Sequence, residues 1–558
     1  MKCYTADFET TTDIDDCRVW AWAICDIDND EHVVIGIDIE GFFRYLDVLP
    51  DCRVYFHNLS FDVSFIFDYL LNNGYVWESQ RYPKYVKGFS TMISDMNQVY
   101  SVRINLSSNH HVTLFDSYKV VPLSIAQAAK AFGLSFGKGE IDYTAKRDKG
   151  YKLTEEEKDY ISRDVRIDAQ VMREVMAEGL KSMTIGACAL SDYKKMMGGT
   201  RGFRYHYPIL DADQDKFIRR AYRGGYCYAA KRYQGLELGE GISFDVNSLY
   251  PSVMASSAGE YMPYGVPKWF ATKPSGDCWI AMLTLSAKLK EKHIPCIQIK
   301  GNIRFKPTEY LENIEEPTTI TITSIDWELI NQQYEVCVYE WHGGYSFKQS
   351  TDLFSSYVDK WVAEKNRATV EGNSGKRQIA KLMLNSLYGK FATGLELKSR
   401  YPTLDSEGVV RYKDTESVDR EGVYLPAACF ITAWSRYKTV RAAQNAYDRF
   451  IYSDTDSIKV LGVEPVTGLD VDDVRLGAWK NEGTFNRFKV LRAKTYIADM
   501  SRDLNKKLSV HVAGMPARCH KQVTFDNFKL GATYQGKLYQ TRVRGGIILI
   551  EDSFTIQG

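Results

Sequence analysis

Two carboxylates two residues apart constrain this chain more than any other feature. Asp454 and Asp456 lie in Tyr452-Ser453-Asp454-Thr455-Asp456-Ser457, between the runs Arg449-Phe450-Ile451 and Ile458-Lys459-Val460-Leu461. That context predicts a β-hairpin with the acids at its tip. Neighbouring carboxylates repel each other, and a divalent cation between them removes the conflict. On its own a D-T-D turn is more often a solvated loop. A third acid, Asp245, narrows the reading. It stands in Ile242-Ser243-Phe244-Asp245-Val246-Asn247-Ser248-Leu249-Tyr250-Pro251, an apolar strand closed by a turn. Three such acids on adjacent strand ends suit two Mg²⁺ ions about 3.5–4 Å apart that clamp the attacking and leaving oxygens of a phosphoryl transfer.

Between these acids lies a basic segment predicted to be helical, Lys376 to Lys390. Arg377, Lys381 and Asn385 recur every four residues, and Tyr388 falls on the same face. Ile379, Leu382, Met383 and Leu387 cover the other side. Such a face can hold a triphosphate and stack a base; a solvated Lys/Arg face is the alternative. Gly389 costs about 1 kcal/mol against Ala inside a helix, which predicts close packing there.

In the order they occur, Asp245 to Pro251, Lys381 to Gly389, and Tyr452 to Ser457 resemble motifs A, B and C of family B DNA polymerases. The wording "DVNSLYP" and "LMLNSLYGK" is similar to the protein-primed bacteriophage enzymes of the phi-29 type, and the resemblance runs from Asp7 to Phe554. It implies Asp245, Val246 and Asp456 as metal ligands, with Asp454 in support. It implies Tyr250, Lys365, Arg377, Lys381, Asn385 and Tyr388 as nucleotide ligands. The tyrosine that ends motif A lies under the incoming sugar in this family, so Tyr250 is expected to exclude a 2′-hydroxyl. The stretch to Lys381 is about four residues longer than the family pattern, which alters the fingers tip around Lys365. Ser453 stands where Cys is familiar.

A second acid set occupies the N-terminal third. Lys2 to Glu9 reads as a strand, so Asp7 and Glu9 face one side. Phe56-His57-Asn58-Leu59-Ser60-Phe61-Asp62 adds another acid. Tyr160 and Asp164 lie one turn apart in a helical stretch begun by Thr154-Glu155-Glu156-Glu157. Each fragment alone fits surface acid; together they suit two metals that activate a water, and they resemble the motifs of a DEDD-type 3′–5′ exonuclease. The resemblance implies Asp7, Glu9, Asp62 and Asp164 as catalytic and metal-binding. It makes Tyr160 the residue that orients the water and Lys138 a supporting lysine. Thr10, Asn58 and Phe61 look like single-stranded DNA ligands.

Net charge is zero, yet its distribution is uneven. Residues 1–55 carry 4 Lys/Arg against 13 Asp/Glu, residues 360–400 carry 9 against 3, and residues 487–546 carry 13 against 3. A basic track in the C-terminal half fits duplex binding. Within it, Leu491 to Ile497 reads as one strand with Lys494 and Tyr496 on one side, similar to the KxY motif at the primer terminus. Tyr222, Gly224 and Gly225 resemble the YxGG linker, whose glycines let a backbone approach DNA. Ser248 is a further expected DNA ligand. Eleven cysteines without CxxC spacing argue for reduced thiols. No apolar run of 18 residues and no apolar leader is present, so neither a membrane span nor a signal peptide is expected.

The expected fold class is thus α/β and α+β multidomain: an RNase H-like 3′–5′ exonuclease domain followed by a right-hand polymerase with two inserted subdomains. The ranges are 1–185 exonuclease, 186–297 first palm part, 298–345 first insertion near a terminal protein, and 346–391 fingers. They continue with 392–426 as the second insertion, serving processivity and strand displacement, 427–515 as the second palm part and 516–558 as thumb. A hairpin is expected near Val409-Val410-Arg411-Tyr412. The implied activity is protein-primed, strand-displacing DNA replication with proofreading, using two Mg²⁺ per site, with Mn²⁺ as a substitute. The implied partners are template and primer DNA, dNTPs and a terminal protein in a heterodimer, the chain itself being monomeric and working in the cytoplasm of an infected bacterium. The alternatives are a DNA-primed family B polymerase, a DNA-binding exonuclease and a non-catalytic scaffold.

Overall fold

The computed structural model describes residues 1–557 except 108–109, 140, 143–144, 299–309 and 501–507. Parts of the expected first insertion and second palm part therefore lie outside the described residues.

The N-terminal region is built on a strand whose alternate residues do different work. In Lys2–Thr10, Tyr4, Ala6 and Phe8 enter an apolar core with Phe42, Phe56 and Val54. Thr5, Asp7 and Glu9 point the other way, and the Thr5 hydroxyl donates to the Val165 carbonyl at 2.7 Å. That carbonyl belongs to helix Glu155–Ala177, which starts at a capping box between Thr154 and Glu157. The strand pairs antiparallel with Val19–Asp26 and parallel with Cys52–Phe56. It sits in a sheet that also holds His110–Asp116, Val99–Ser107 and Gly88–Ser94.

The edge of that sheet comes from far along the chain. Ser399–Leu404 pairs antiparallel with Gly88–Ser94 and then with Val410–Asp414. Trp77 stacks on Tyr401 at 4.3 Å, and Val410 is fully buried in the N-terminal core. The hairpin expected within 392–426 thus extends the N-terminal sheet. The C-terminal hairpin Thr533–Val543 and Gly546–Thr555 closes on the same body. Arg542 lies 4.0 Å over the Tyr412 ring, and the Gly545 amide donates to Asp68 at 3.1 Å.

The second body centres on an antiparallel sheet in the order Trp479–Phe485, Gly241–Val246, Ser457–Leu461, Phe450–Asp454, Cys227–Ala229. One face packs on helix Leu425–Asn445 through Ile242, Phe244, Ile458 and Val460. The other meets a four-stranded sheet through Tyr452, Phe485, Phe488 and Tyr496. A further sheet joins Met262–Phe270, Trp279–Leu289, Asn313–Thr323 and Tyr334–Ser350. It starts before residue 298 and ends after 345, so this unit is wider than the expected first insertion. Helices Ser355–Val370 and Ser374–Ser386 form a hairpin, joined at Gly372 with φ 68° and capped by Asn373. No helix among the described residues is long and apolar enough to cross a membrane.

Candidate active sites

The central sheet places the first acid set. Asp454 ends one strand, Ser457 begins the next, and Asp245 pairs with Ser457 on the neighbouring strand. The Val246 amide donates to the Asp456 carbonyl at 2.8 Å, locking the turn to the Asp245 strand. Burial first, then the charges of Asp456 and Glu482, push Asp245 up to about 7. Burial also raises Asp456. Glu482, from Trp479–Phe485, was not singled out in the sequence.

The turn itself is held from behind. The Thr455 amide donates to the Tyr226 carbonyl at 2.6 Å, and the Thr439 hydroxyl donates to the Thr455 carbonyl at 2.8 Å. Thr455 has φ 58°, and a Cβ on Gly225 would stand 2.7 Å from its methyl. At Gly225 the absence of a side chain has a reason besides the expected DNA approach, because its close neighbour is the acid turn. Gly224 faces open space, and its carbonyl accepts from Arg436 at 2.8 Å. Gly225→Ala should lower synthesis about tenfold, since overpacking costs roughly 1–3 kcal/mol. Chemistry at the N-terminal acid set should stay native. Comparing both rates in one preparation checks this; equal loss of both would mean general misfolding.

The expected cationic face forms. Arg377, Lys381 and Asn385 are exposed on Ser374–Ser386, while Ile379, Met383 and Leu384 are buried. Lys365, from the partner helix, is lowered by burial and by the charges of Arg377 and Lys381, so the three cations gather. Mutually repelling ammonium and guanidinium groups suit a polyphosphate. Tyr250 stacks on Tyr388 at 4.0 Å and 25°, with half-buried Tyr222 beside Tyr388. Tyr250 lies on the short helix Leu249–Met254, entered through left-handed Ser248 at φ 55°. Two expectations change here. The helix ends at Ser386 and a second turn, Tyr388–Phe391, follows. A Cβ on Gly389 would meet nothing within 4 Å, so no packing demands that glycine.

Lys494 and Tyr496 also differ from expectation. Instead of one strand, Arg487–Arg492 and Thr495–Asp499 form a hairpin with Ala493 and Lys494 as its turn. Lys494 takes φ 55° and is exposed, while Tyr496 is buried against Phe488 and His511. The tight turn breaks the alternation that would have put both side chains on one face.

The N-terminal acids meet between the first strand and the long helix. Glu9, Asp62, Tyr160 and Asp164 are buried and Asp7 partly so. Lys138 pairs with Asp164 at 2.8 Å and lies 5.8 Å over the Tyr160 ring. Burial first and the Asp164 charge second push Asp7 up to about 7. Burial and Asp7 raise both Glu9 and Asp62. Behind them sits a network the sequence did not reveal. Ser117 donates to Asp168 at 2.9 Å and stands 3.0 Å from His57 Nδ1. Burial pulls His57 down, but the hydrogen bond and charge of Asp168 outweigh it and raise it. Asn58 is exposed with φ 67°, Phe61 lies beside Phe65, and Thr10 ends the acid strand at a register shift.

Among the described residues no three His, Cys, Asp or Glu side chains stand close enough to cage an ion as they are placed. The donor chemistry nevertheless fits divalent cations in both places. Desolvated carboxylates face one another, and the buried Asp164 Oδ1 has no hydrogen-bond partner.

Comparison with known proteins agrees with this geometry. The family described as DNA polymerase type B, organellar and viral, matches residues 51–150 and 143–466. The DNA polymerase of Bacillus phage B103 is 39% identical over all of both chains. That of Bacillus phage phi29 is 40% identical, covering all of this chain and 99% of the relative. The solved structure of phi29 DNA polymerase complexed with primer-template DNA and incoming nucleotide substrates matches at a TM-score of 0.92, with 37% identity and full coverage of both chains. The chain therefore belongs to the type B DNA polymerases, and within them to the phi29-type phage enzymes.

Proposed function

We infer that this polymerase is a replicative enzyme of the protein-primed, strand-displacing kind, with a separate 3′–5′ proofreading exonuclease. The observation that carries this reading is the pair of acid sites in one chain, together with a hairpin from the polymerase half that extends the N-terminal sheet. Ser399–Asp414 extends the exonuclease-like sheet and is gripped by Arg542 of the C-terminal hairpin. A template strand encircled in this way would be separated from its complement as it enters.

In this reading the chain divides into exonuclease, palm, fingers, thumb and two insertions in the order expected from sequence, with the first insertion belonging to the wider sheet that starts at Met262. Template, primer and dNTP bind at the central sheet, in keeping with the DNA and nucleotides in the phi29 complex. Asp245, Asp456 and the Val246 carbonyl would hold divalent ions, Mg²⁺ or its substitute Mn²⁺, with Asp454 in support. Such ions supply charge on the phosphoryl oxygens and ease ionisation of the attacking hydroxyl. Lys381, Arg377 and Lys365 neutralise the triphosphate as the primer 3′-hydroxyl attacks the α-phosphate and pyrophosphate leaves. Asn385 and the stacked Tyr250 and Tyr388 shape the nascent pair, and the Tyr250 ring excludes a 2′-hydroxyl. Lys494, Tyr496, Ser248, Tyr222, Gly224 and Gly225 line the primer path. A frayed end reaches Thr10, Asn58 and Phe61 for removal at Asp7, Glu9, Asp62 and Asp164. Tyr160 orients the water there and Lys138 steadies Asp164. At initiation a hydroxyl of a terminal protein replaces the primer end. The cytoplasm of an infected bacterium is the setting this implies.

The test is extension of a labelled primer on a template carrying a downstream blocking strand, with Mg²⁺ and dNTPs and no helicase. Long products are expected. Products that stop at the block would remove strand displacement and favour an ordinary DNA-primed polymerase.

A further inference from the structure

Lys459 is a buried cation that the scheme above does not use. It lies on Ser457–Leu461, where Ile458 and Val460 enter the core on the helix side. Strand alternation sends Lys459 to the opposite face, the interior between the two sheets. There it is only 8% exposed. An ammonium in such a place is costly unless it is paired. Among the described residues its one hydrogen bond goes to the Ser243 hydroxyl at 3.2 Å, and no carboxylate stands within ion-pair distance of it. Its other contact is the face of Tyr496, 5.2 Å from the ring centroid. Asp245, Asp454, Asp456 and Glu482 are the charges that surround it. Burial holds its pKa below the usual lysine value, and those carboxylates, Glu482 first, offset part of that lowering.

Tyr496 is the hub of this interior. Phe488 stacks on it at 5.1 Å, His511 at 4.6 Å, and Tyr452 lies at 4.9 Å. The Tyr452 hydroxyl receives the Lys494 amide at 3.0 Å and donates to Asp454 at 3.4 Å. A connected path therefore runs from Lys459 through Tyr496 and Tyr452 to the acid turn and to Lys494. Beneath it lies a cavity of about 420 Å³ lined by Lys459, Glu482, Tyr496, Ser509 and His511. That space lies beside the ring, whose faces are taken by its aromatic neighbours and by Lys459.

We propose that Lys459 is a positioning residue: its ammonium, anchored on Ser243, fixes the Tyr496 ring in the orientation that receives the primer terminus. This rests on the reading of Lys494 and Tyr496 as primer contacts. The lysine touches neither primer nor nucleotide. It acts through the ring, so it governs primer binding more than the chemical step, and the exonuclease site, in another body, is indifferent to it.

The experiment uses the full chain and a recessed primer-template, reading KM for DNA and kcat separately, with single-strand digestion as the folding control. Lys459→Met keeps the length of the side chain and removes its charge. It should raise KM for primer-template about tenfold, the scale of a desolvated cation–π contact, with kcat changed less than about threefold. Lys459→Arg should restore KM to within about threefold. Tyr496→Leu should raise KM on its own, and Lys459→Met added to it should change nothing more, since the partner is gone. Native KM in Lys459→Met beside a raised KM in Tyr496→Leu overturns the proposal alone. Additive losses, or a fall in kcat at unchanged KM, overturn it as well, because the lysine would then act on the acids. Native KM in Tyr496→Leu overturns the reading of Tyr496 as a primer contact and the proposal with it.

Discussion

Asp456→Ala should abolish synthesis, by about 10³-fold or more, and leave single-strand digestion at its native rate. The magnitude follows from position. Phosphoryl transfer leaves little covalent work for the protein, so the barrier is lowered mainly by charge placed where charge develops. Losing one neutral donor from such an arrangement already costs about 10²–10³-fold. A carboxylate that anchors cationic charge costs more. The fold should survive the change. Asp456 is a turn residue whose backbone makes the structural contacts: its amide donates to the Asp454 carbonyl at 2.7 Å and its carbonyl accepts from Val246. Removing the carboxyl also relieves its repulsion with Asp245. A primer-extension time course with a matched digestion assay decides it. Retained synthesis would sink the assignment of this turn as the polymerase centre, and joint loss of both activities would point to misfolding.

Much of this site was legible because it is written locally. The hairpin Phe450–Leu461 follows from two apolar runs around D-T-D. The helix Ser374–Ser386 follows from cations repeating every four residues over an apolar face. Asp7 and Glu9 on one side of a strand, and Tyr160 and Asp164 on one face of a helix, follow from periods of 2 and 3.6. What pattern could not give is who stands across the gap. Gly225 meets Thr455, more than two hundred residues on, and nothing near Gly225 in the chain announces that contact. The hairpin at 399–414 was expected, but its pairing with Gly88–Ser94 was not. Strand alternation shows which face a residue takes and leaves open which strand it faces.

The errors have local causes as well. Lys494 was read as strand because Leu491 to Ile497 alternates. A two-residue turn inside that alternation carries no Gly or Asn to mark it, and Lys494 takes a left-handed φ that side chains rarely adopt. Gly389 was read as a packing glycine inside one long helix, whereas that helix ends at Ser386 and Gly389 falls in the short turn Tyr388–Phe391, where nothing crowds it. Lys459, Glu482 and Asp168 went unremarked because a charged residue in an otherwise apolar segment looks the same whether it faces water or a second sheet.

Asp164→Asn should remove exonuclease activity by more than about 100-fold while primer extension on intact duplex ends stays native. Outer residues that merely orient a metal ligand cost about 10–100-fold when lost, so a ligand itself costs more. Asparagine keeps the shape and still accepts one hydrogen bond from Lys138. It withdraws the charge that pairs with Lys138 at 2.8 Å and the Oδ1 that has no partner of its own. Folding gives no reason to expect collapse. Burial raises Asp164 and its charge in turn raises Asp7, so a neutral side chain relieves a strain. Asp168 is the contrast one turn along the same helix. It receives Ser117 and stands 3.7 Å from His57, so Asp168→Asn should slow digestion by about tenfold only, as a supporting residue. The pair separates a site from its scaffold. If Asp164→Asn digests single strands as fast as the native chain, these four acids are not the exonuclease centre. If both variants lose extension too, the helix is structural and the two activities share more than this geometry allows.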